Sequence, residues 1–447
     1  MKPIGNALIA ALLLGTPGTA PARKTGAIDA DRVRAHEAFL AGETLRGRAS
    51  ATRDEAIAAA YVAAQFQAAG LTTAPGMTGY TQTVPLVRQK SVGAPMLTVA
   101  GTRIDGVALI RASGGTVSGQ AAIVADASLP PPEATILVIG GGRMPPGRFI
   151  RAAEANGTAL IIVAETERTR RLRLQSGGSG LPIYPIDGAP GSQASMVTVP
   201  AESIATLTAT PGARVTLAVP FELEATATTN SVAYLPGTDP GAGVLLLSAH
   251  LDHLGQRADG KIMHGANDDA SGLVALMELA RALASAKPMR RGILFVAYGS
   301  EEIGGFGAKH FAANPPVPLA RMVANIQFEM IGEQDPKLPR DTMMMTGYER
   351  STLGALLRAQ GAQIAPDPYP EQNFFRRSDN YALALKGVVA HTVSGRVGAN
   401  YHQPTDTIEN MDFPFMISAI ASMVAPIRQL ANARAVPTWT LGGRPTE

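Results

Sequence analysis

The pattern of apolar and polar positions divides the chain into three regions. Region 29–86 has a mostly helical pattern, including an alanine-rich stretch over 54–69. Between about 88 and 223, short β-branched runs are separated by Gly and Pro, which predicts a small β-rich unit with one helix over 148–155. From residue 229 onward, apolar strands alternate with long amphipathic helices. That alternation predicts a layered α/β domain.

The first residues have the pattern of a secretory signal. Lys2 precedes an apolar run from Ala7 to Leu14, and small residues follow as far as Ala22. We therefore expect residues 1–22 to be removed and the mature protein to be exported, either to the periplasm or out of the cell. The run is too short to span a bilayer, which needs about 20 apolar residues. No later segment is apolar for that length without a charge or a breaker, so we expect no stable membrane insertion.

The composition excludes several classes of protein and of functional site. The chain is 46% apolar and 17% charged, which excludes a wholly disordered protein. It has no cysteine, which excludes disulfides, a thiolate nucleophile and Cys-ligated zinc or iron–sulfur clusters. The net charge of +3 is too small to indicate a nucleic-acid partner. Nothing in the sequence indicates an oligomeric state.

Polar residues follow the carboxyl ends of four apolar strands in the C-terminal region. The strands are predicted over 244–248, 293–298, 322–328 and 388–393. The residues that follow them are His250, Asp252 and His253; Glu301 and Glu302; Glu329; and Tyr401 and His402. Ligands of open α/β sheets bind at the carboxyl edge of the strands, so these side chains are expected to meet there.

A fifth segment supplies two further carboxylates. Asp268 and Asp269 lie in a Gly- and Asp-rich stretch directly before a helix predicted over 270–286. Asp269 is as well explained by helix capping as by a functional role. One cap needs one acid, so Asp268 is the stronger functional candidate.

Imidazole and carboxylate groups without thiolates suit zinc or a similar divalent metal. If Asp268 is shared, His250 and Glu329 complete one three-ligand site, and Glu302 and His402 complete a second. Two metals about 3.5–4 Å apart can hold a hydroxide and polarise a carbonyl. Glu301, beside a ligand but not itself required as one, is then placed to act as a general base.

The remaining histidines of this region have a simpler interpretation. We expect ordinary surface or core roles for His253, His264, His310 and His391.

The motifs around these residues resemble those of the co-catalytic zinc metallopeptidases of family twenty-eight. That family includes bacterial leucyl aminopeptidases, glutamate carboxypeptidases and glutaminyl cyclases. The matching segments are Ser-Ala-His-Leu-Asp-His-Leu-Gly from 248, Gly-Ala-Asn-Asp-Asp-Ala-Ser-Gly from 265, Ser-Glu-Glu-Ile-Gly-Gly-Phe-Gly-Ala from 300 and Tyr-His-Gln-Pro-Thr-Asp-Thr from 401.

The resemblance implies a fold and a domain organisation. It implies a three-layer α/β/α peptidase domain with a mixed central sheet, built from 23–87 and 224–447. The segment 88–223 resembles a protease-associated domain inserted into it. The lead-in segments Leu45 to Arg48 and Tyr80 to Gln82 also resemble the family's N-terminal part.

The resemblance also implies roles for single residues. It implies two Zn²⁺ ions on His250, Asp268, Glu302, Glu329 and His402, with Glu301 as the base. Asp252 would orient His250, and Tyr401 would donate a hydroxyl hydrogen bond to the developing oxyanion. The bond between Asp268 and Asp269 would be cis, with Asp269 fixing a ligand histidine or capping the helix. Many aminopeptidase members carry Asp where this chain has Glu329.

The expected function is that of an exported di-zinc exopeptidase acting on peptides, namely an aminopeptidase. Three alternatives remain from the sequence: a glutaminyl cyclase-like enzyme, a carboxypeptidase-like enzyme and a non-catalytic binding homologue. The zinc content per chain separates several of these, because the cyclases of the family use one zinc. The preferred substrate side chain cannot be read from the sequence.

Overall fold

The computed structural model describes residues 27–175 and 180–446. The expected signal segment, 1–22, lies outside the described residues. The helices are α1 Ala30–Leu40, α2 Arg53–Ala68, α3 Gly147–Ala155, α4 Glu167–Gln175, α5 Ala201–Thr208, α6 Ser271–Ala284, α7 Phe306–Ala313, α8 Leu353–Ala359, α9 Asn380–Leu385 and α10 Phe413–Asn432. The strands are β1 Thr81–Ser91, β2 Met96–Val99, β3 Thr102–Ile104, β4 Ala108–Arg111, β5 Gly115–Val124, β6 Ile136–Ile139, β7 Leu160–Ala164, β8 Ile183–Pro185, β9 Ser195–Val199, β10 Arg214–Val219, β11 Phe221–Leu235, β12 Val244–His250, β13 Gly255–Gln256, β14 Ile262–Met263, β15 Gly292–Tyr298, β16 Met322–Glu329, β17 Met343–Met345, β18 Ile364–Pro366 and β19 Ala390–Ser394.

The main sheet has nine strands in the order β18-β17-β19-β16-β12-β15-β11-β1-β8. Its centre, β19-β16-β12-β15, is parallel, and antiparallel pairs flank it on both sides, so the sheet is mixed as expected. All four strands predicted in the C-terminal region are present. Strands β12 and β15 are mostly runs of buried apolar residues, the pattern of a parallel strand covered on both faces. Strands β16 and β19 are buried as well but include the polar residues Asn325, Gln327, His391 and Thr392.

Alternate residues of β12 show how the layers are arranged. Leu245 and Leu247 join a core cluster with side chains of α1, α2, α6, α8 and α10. Val244 and Leu246 point the other way, into a cluster with α7 and α9. Because successive side chains of a strand point to opposite faces, helices cover both faces of the sheet. The domain is therefore the three-layer α/β/α structure that was predicted.

A second sheet lies between β1 and β11 in the sequence. Its eight strands run in the order β3-β2-β10-β5-β6-β7-β9-β4, with β5, β6, β7 and β9 parallel. Strand β1 ends at Ser91 and β11 begins at Phe221, and these two residues are direct partners in the main sheet. We call residues 92–220 the insert. Its likeness to a protease-associated domain stays a prediction.

The insert departs from the sequence expectation in two ways. It contains three helices, α3, α4 and α5, where one was expected. Helix α4 was missed because its arginine-rich sequence has no apolar stripe, and α5 is only eight residues long. In addition, β8 leaves the second sheet and pairs with β1 at the edge of the main sheet, through Leu86 opposite Pro185. Three residues of strand are too few to recognise from a pattern.

Helix α10 is long and apolar enough to cross a membrane by length and composition alone. In this fold it packs against α6 and α8 instead. Its side chains Met416, Ile420, Met423 and Ile427 are fully buried in the core beneath the main sheet.

Candidate metal centre

The ends of parallel strands bring five of the predicted residues to one edge of the main sheet. His250 is the last residue of β12 and Glu329 the last residue of β16. Glu301 and Glu302 follow β15, the neighbour of β12 on its other side. His402 comes from the loop after β19. The carboxyl ends of adjacent parallel strands meet, as the sequence analysis expected.

Asp268 lies at the centre of this edge, in the turn Ala266–Ala270 before α6, where its own backbone is not helical (φ −111°, ψ 94°). Its two carboxylate oxygens face different histidines. Oδ1 is 3.2 Å from His250 Nε2, and Oδ2 is 3.1 Å from His402 Nε2. The peptide bond between Asp268 and Asp269 is cis, as the resemblance implied. Asp268 is thus positioned to hold two separate partners at once.

Two glycines are required around this turn. Gly265 has a φ of +63°, and a Cβ there would lie 2.6 Å from the ring of His253. A Cβ on Gly272 would lie 2.5 Å from the Asp269 carboxylate and from the Phe328 carbonyl oxygen. Larger side chains would separate the turn and α6 from the strand ends.

Four residues form a compact group of potential metal ligands: His253, Asp268, Glu302 and His402. One donor atom from each lies within 4.8 Å of all the others. Within the group, His253 Nδ1 is 2.8 Å from Glu302 Oε1, and His402 Nε2 is 3.2 Å from Glu302 Oε2. The group thus contains three of the five ligands expected from the sequence, together with His253.

His253 was expected to have an ordinary surface or core role. It is buried, and it also lies against Glu302 as part of this group of potential ligands, which the sequence analysis did not predict. The sequence shows only that His250 and His253 follow the same strand. The direction of each side chain depends on the loop that begins there, and no periodic pattern describes that loop.

The donor atoms of the site suit a divalent cation. Several buried side-chain atoms among the described residues of the site have no neighbour in hydrogen-bond geometry, although some of them lie close to other charged groups: His250 Nε2, His253 Nε2, Glu302 Oε1 and Glu329 Oε2. Leaving buried polar atoms unpaired is costly, so a concentration of them at one sheet edge needs an explanation. Nitrogen and carboxylate oxygen donors are those that zinc binds, and bound zinc would satisfy them.

The charges of the site are strongly coupled. Burial disfavours the ionised form of Asp268, but the imidazoles of His250 and His402 outweigh burial and hold its pKa well below the usual range. Burial disfavours charging of His402 as well, yet Asp268 and Glu302 raise its pKa to about 10. Burial raises the pKa of Glu329 to about 7 and raises that of Glu301 well above its ordinary value. A bound cation would favour the ionised carboxylates.

Asp269 performs both roles that the sequence left open. Its Oδ1 accepts hydrogen bonds from the backbone of Gly272, in the first turn of α6, and of Met330. Its Oδ2 accepts one from the backbone of His250, at 3.1 Å. Asp269 therefore caps the helix and also ties together the ends of β12 and β16.

Asp252 acts mainly on the loop that carries Glu301 and Glu302. Its carboxylate accepts hydrogen bonds from both of their backbone N–H groups, at 2.9 and 3.1 Å, and from the Ser50 hydroxyl. His250 Nδ1 lies 3.8 Å from this carboxylate but 3.1 Å from the Asp252 carbonyl oxygen. The backbone of Asp252, more than its side chain, orients the His250 ring.

The sequence predicted no individual role for Arg48, which is the last residue of the lead-in segment Leu45 to Arg48. It is fully buried, and its guanidinium donates to the carbonyl oxygens of Leu251, His264 and Gly265, each at 2.9 Å, and of Leu40 at 2.6 Å. These carbonyls lie at both ends of the loop that carries His253. Arg48 thus fixes that loop from the N-terminal part of the chain.

Asp406 has a similar role that the sequence did not reveal. Its two oxygens accept hydrogen bonds from the backbones of Asn267 and Asp268, at 2.8 and 3.1 Å. It therefore joins the loop of His402 to the turn that carries Asp268. Tyr401, the predicted hydroxyl donor, stacks on the His402 ring with centroids 3.8 Å apart.

The other three histidines lie away from the group. His264 Nδ1 is 2.9 Å from the Ala41 carbonyl oxygen, His310 is half-buried in α7, and His391 is buried between Ser351 and Thr346.

Comparison with known proteins relates part of the chain to a peptidase family. The family described as "Peptidase family M28" matches residues 230–427. An aminopeptidase of Pseudomonas aeruginosa strain UCBPP-PA14 is 33% identical over 124 residues, covering 28% of this chain and 22% of that protein. Aminopeptidase YwaD of Bacillus subtilis is 26% identical over 182 residues, covering 38% of this chain and 37% of that protein. The chain thus covers less than half the length of these curated relatives.

Solved structures match nearly the whole chain. An aminopeptidase from Aneurinibacillus sp. strain AM-1 has a TM-score of 0.61 at 18% identity, covering 91% of this chain and 94% of that one. A zinc aminopeptidase from Bacillus subtilis has a TM-score of 0.60 at 18% identity, covering 92% of this chain and 98% of that one. At these identities the likeness establishes the fold.

Proposed function

Residues 230–427 form a domain of peptidase family M28, and from this premise we propose that the chain is an exported di-zinc aminopeptidase. It removes N-terminal residues from peptides by hydrolysis. The observation that carries the proposal is the orientation of Asp268, whose two oxygens face His250 and His402 separately. The names of the similar proteins support zinc and aminopeptidase activity.

The chain's residues would hold two zinc ions. His250, Asp268 and Glu329 would hold one ion, and Asp268, Glu302 and His402 the other. His253, against Glu302, is a further donor on the second side. When bound, the ions supply Lewis acidity that polarises the substrate carbonyl and lowers the pKa of water.

Glu301 carries the proton in this proposal. It takes a proton from the attacking water as the water oxygen bonds to the carbonyl carbon, and it gives that proton to the amide nitrogen as the carbon–nitrogen bond breaks. The products are a carboxylic acid and an amine. Burial raises the pKa of Glu301 above its ordinary value, and a raised pKa makes a carboxylate a stronger proton acceptor.

The loop residues would support this step. Asp252 holds the backbone of Glu301 and fixes the start of its side chain. Tyr401 would donate its hydroxyl to the carbonyl oxygen as negative charge develops there. Its ring rests on His402, which keeps it at the edge of the site.

The test uses zinc content together with activity. Glu301→Gln should retain zinc and lower kcat by about 10²–10⁴-fold, because it removes a positioned base. Glu302→Gln should lower zinc content. Glu202→Gln, an exposed acid on α5, is the matched control and should change neither quantity. Metal analysis and steady-state rates on aminoacyl substrates measure these effects. A near-full rate for Glu301→Gln would refute its assignment as the base.

Export has its own test. N-terminal sequencing of protein recovered outside the cytoplasm should begin after Ala20 or Ala22. Cytoplasmic protein that retains Met1 would contradict export.

A further inference from the structure

A cavity of about 570 Å³ opens beside Glu301. Its walls are α7, the segment 376–379 and α9. Glu301 lines the cavity, but none of the five proposed zinc ligands does. Its size falls within the range of about 300–1,000 Å³ that is typical of small-molecule sites.

The charges around this cavity are mostly positive. Lys309, Arg376, Arg377 and Lys386 line it, and the acids in its wall are Glu301 and Asp379. Asp379 is buried, whereas all four cationic side chains are exposed. The positive charges therefore lie on the solvent side of the cavity and the acids on its protein side.

The contacts of these cations leave their charge available to a ligand. No salt bridge to an acid within 4 Å is found for any of the four in the part of the chain that the structure describes. Three of them rest on aromatic rings: Arg376 over Tyr381 at 5.5 Å, Arg377 over Phe374 at 5.0 Å and Lys309 over Phe306 at 5.9 Å. Ring contacts orient a cation but do not neutralise it.

The arginines of α4 show the opposite arrangement. Arg170 and Arg173 both contact Glu165, and Arg171 contacts Glu167. The clustered cations of α4 are therefore balanced by neighbouring acids within 4 Å. The cations around the cavity are not.

The position of Glu301 indicates which part of a substrate would enter. Under the proposed function, Glu301 delivers its proton to the departing amide nitrogen. The departing part of the peptide must therefore start within hydrogen-bond reach of Glu301. The cavity has Glu301 in its wall and none of the proposed zinc ligands. It therefore lies on the side where the departing part of the substrate begins.

We propose that this cavity is a subsite for a carboxylate on the departing part of the substrate. The carboxylate is either the C-terminal group of a short peptide, such as a dipeptide, or the side chain of an acidic residue directly after the cleaved bond. Exposed lysine and arginine side chains bind a carboxylate through charge-assisted hydrogen bonds. The inference rests on the proposed function and adds a substrate class to it.

Four peptides separate the two sources of the carboxylate. All four begin with the residue that the wild-type protein removes fastest. One pair ends in alanine as the free acid or as the amide, and tests the C-terminal group. The other pair has glutamate or glutamine after the cleaved bond, each as the amide, and tests the side chain. We expect at least one pair to favour the carboxylate by about 10-fold in kcat/KM, with the preference falling as salt screens the charges.

Variants assign the preference to the cavity. Arg376→Gln, Lys386→Gln and their combination should reduce the ratio within the preferred pair towards one, while the rate on the neutral amide stays the same. Arg358→Gln, an exposed arginine on α8 that does not line the cavity, is the control and should preserve the ratio.

The possible failures are distinguishable. A wild-type protein that cleaves the neutral amides without preferring either carboxylate overturns the subsite and leaves the aminopeptidase proposal intact. Variants that slow the carboxylate and the neutral peptide equally also overturn it. A wild-type protein that cleaves none of the four peptides refutes the proposed function, and the subsite with it.

Discussion

Both sheets of this protein contain four adjacent parallel strands, but the residues that follow these strands differ. In the main sheet, β12, β15, β16 and β19 are parallel, and acids and histidines follow their carboxyl ends. In the insert, β5, β6, β7 and β9 are also parallel, with α3 between β6 and β7 and α4 between β7 and β9. Yet residues 92–220 include no histidine. A parallel sheet edge provides a place for a site, but the residue types that follow the strands decide whether one exists.

The two regions also differ in the polar side chains that they bury. Among the described residues of the insert, the buried polar side chains are hydroxyls: Thr158, Thr169, Ser195 and Thr198. The main domain buries many ionisable groups, including His250, Asp252, Asp268 and Asp269. Burying charge is unfavourable unless it is paired or bound to metal. The main domain therefore buries ionisable groups at its site, whereas the described residues of the insert bury only uncharged polar side chains.

A matched pair of core substitutions tests whether the regions are independent. Ile161 on β7 and Ile326 on β16 are both buried in parallel strands. Each change to alanine should lower stability by about 2–5 kcal/mol. Ile161→Ala should weaken only the insert and preserve zinc content, whereas Ile326→Ala, three residues before Glu329, should also lower zinc affinity. Hydrogen exchange read by mass spectrometry, on peptides from each sheet, measures both effects.

Equal losses of protection in both sheets for either variant would contradict this separation. They would show that the two sheets unfold as one cooperative unit.

Lowering the pH should affect the main domain through a buried histidine. Burial lowers the pKa of His391 from 6.5 to about 4. The unfolded chain then binds more protons between these values, so stability falls as pH drops from 6.5 to 4. The loss is about 3 kcal/mol over the window. Urea unfolding of the wild type and of His391→Gln, compared at pH 7 and pH 5, should show a smaller pH dependence in the variant.

The contacts of His391 explain this direction. Its Nδ1 lies 2.9 Å from the Thr346 carbonyl oxygen, so Nδ1 carries the proton, and Nε2 accepts from the Ser351 hydroxyl at 2.7 Å. Both ring nitrogens are satisfied in the neutral form. A pH dependence in His391→Gln equal to that of the wild type would assign the acid sensitivity to other groups.

The smallest expected effect concerns two ion-paired glutamates, one in each region. Glu167 on α4 pairs with Arg171 at 3.2 Å, and both side chains are exposed. Glu278 on α6 is buried and accepts from Arg32 and Arg281, at 2.9 and 2.8 Å. Glu167→Gln should cost about 0.3–0.5 kcal/mol and Glu278→Gln about 1–3 kcal/mol. Chemical denaturation of both variants at low and high salt checks this, since only the exposed pair should weaken strongly with salt.

The fold was predictable where burial imposes a pattern on the sequence. The strands β12 and β15 are mostly apolar runs covered on both faces, and α2 is an alanine-rich segment with one buried face. Helix α4 has no such pattern, because an arginine-rich helix on the surface is supported by pairs such as Glu167 and Arg171. Strand β8 is defined by its partner β1, which its own three residues do not reveal.

For the site, the sequence identified the residues to consider, but it did not show in which direction each side chain points. It correctly predicted that four residues lie close together, because they follow strand ends or lie in the turn before α6: His250, Asp268, Glu302 and His402. It could not identify His253, Arg48 or Asp406, because their contacts depend on how separate loops meet. Arg48 donates to carbonyls more than 200 positions away in the sequence, a distance that no local pattern spans.

The register of β1 and β11 makes the insert a single long hairpin loop. Ser91 and Phe221 are direct partners, and the ladder continues without a break from there to Thr81 and Ser231. The chain leaves the main sheet and returns to it at adjacent positions, as it would around a tight turn. Loop-closure entropy grows only slowly with length, so the ladder holds a loop of this size nearly as readily as a short one. In architectural terms the main domain is continuous in space although its sequence is divided. Replacing residues 92–220 with a short turn would remove β8 from the sheet edge but leave intact the strands that end in His250 and Glu329.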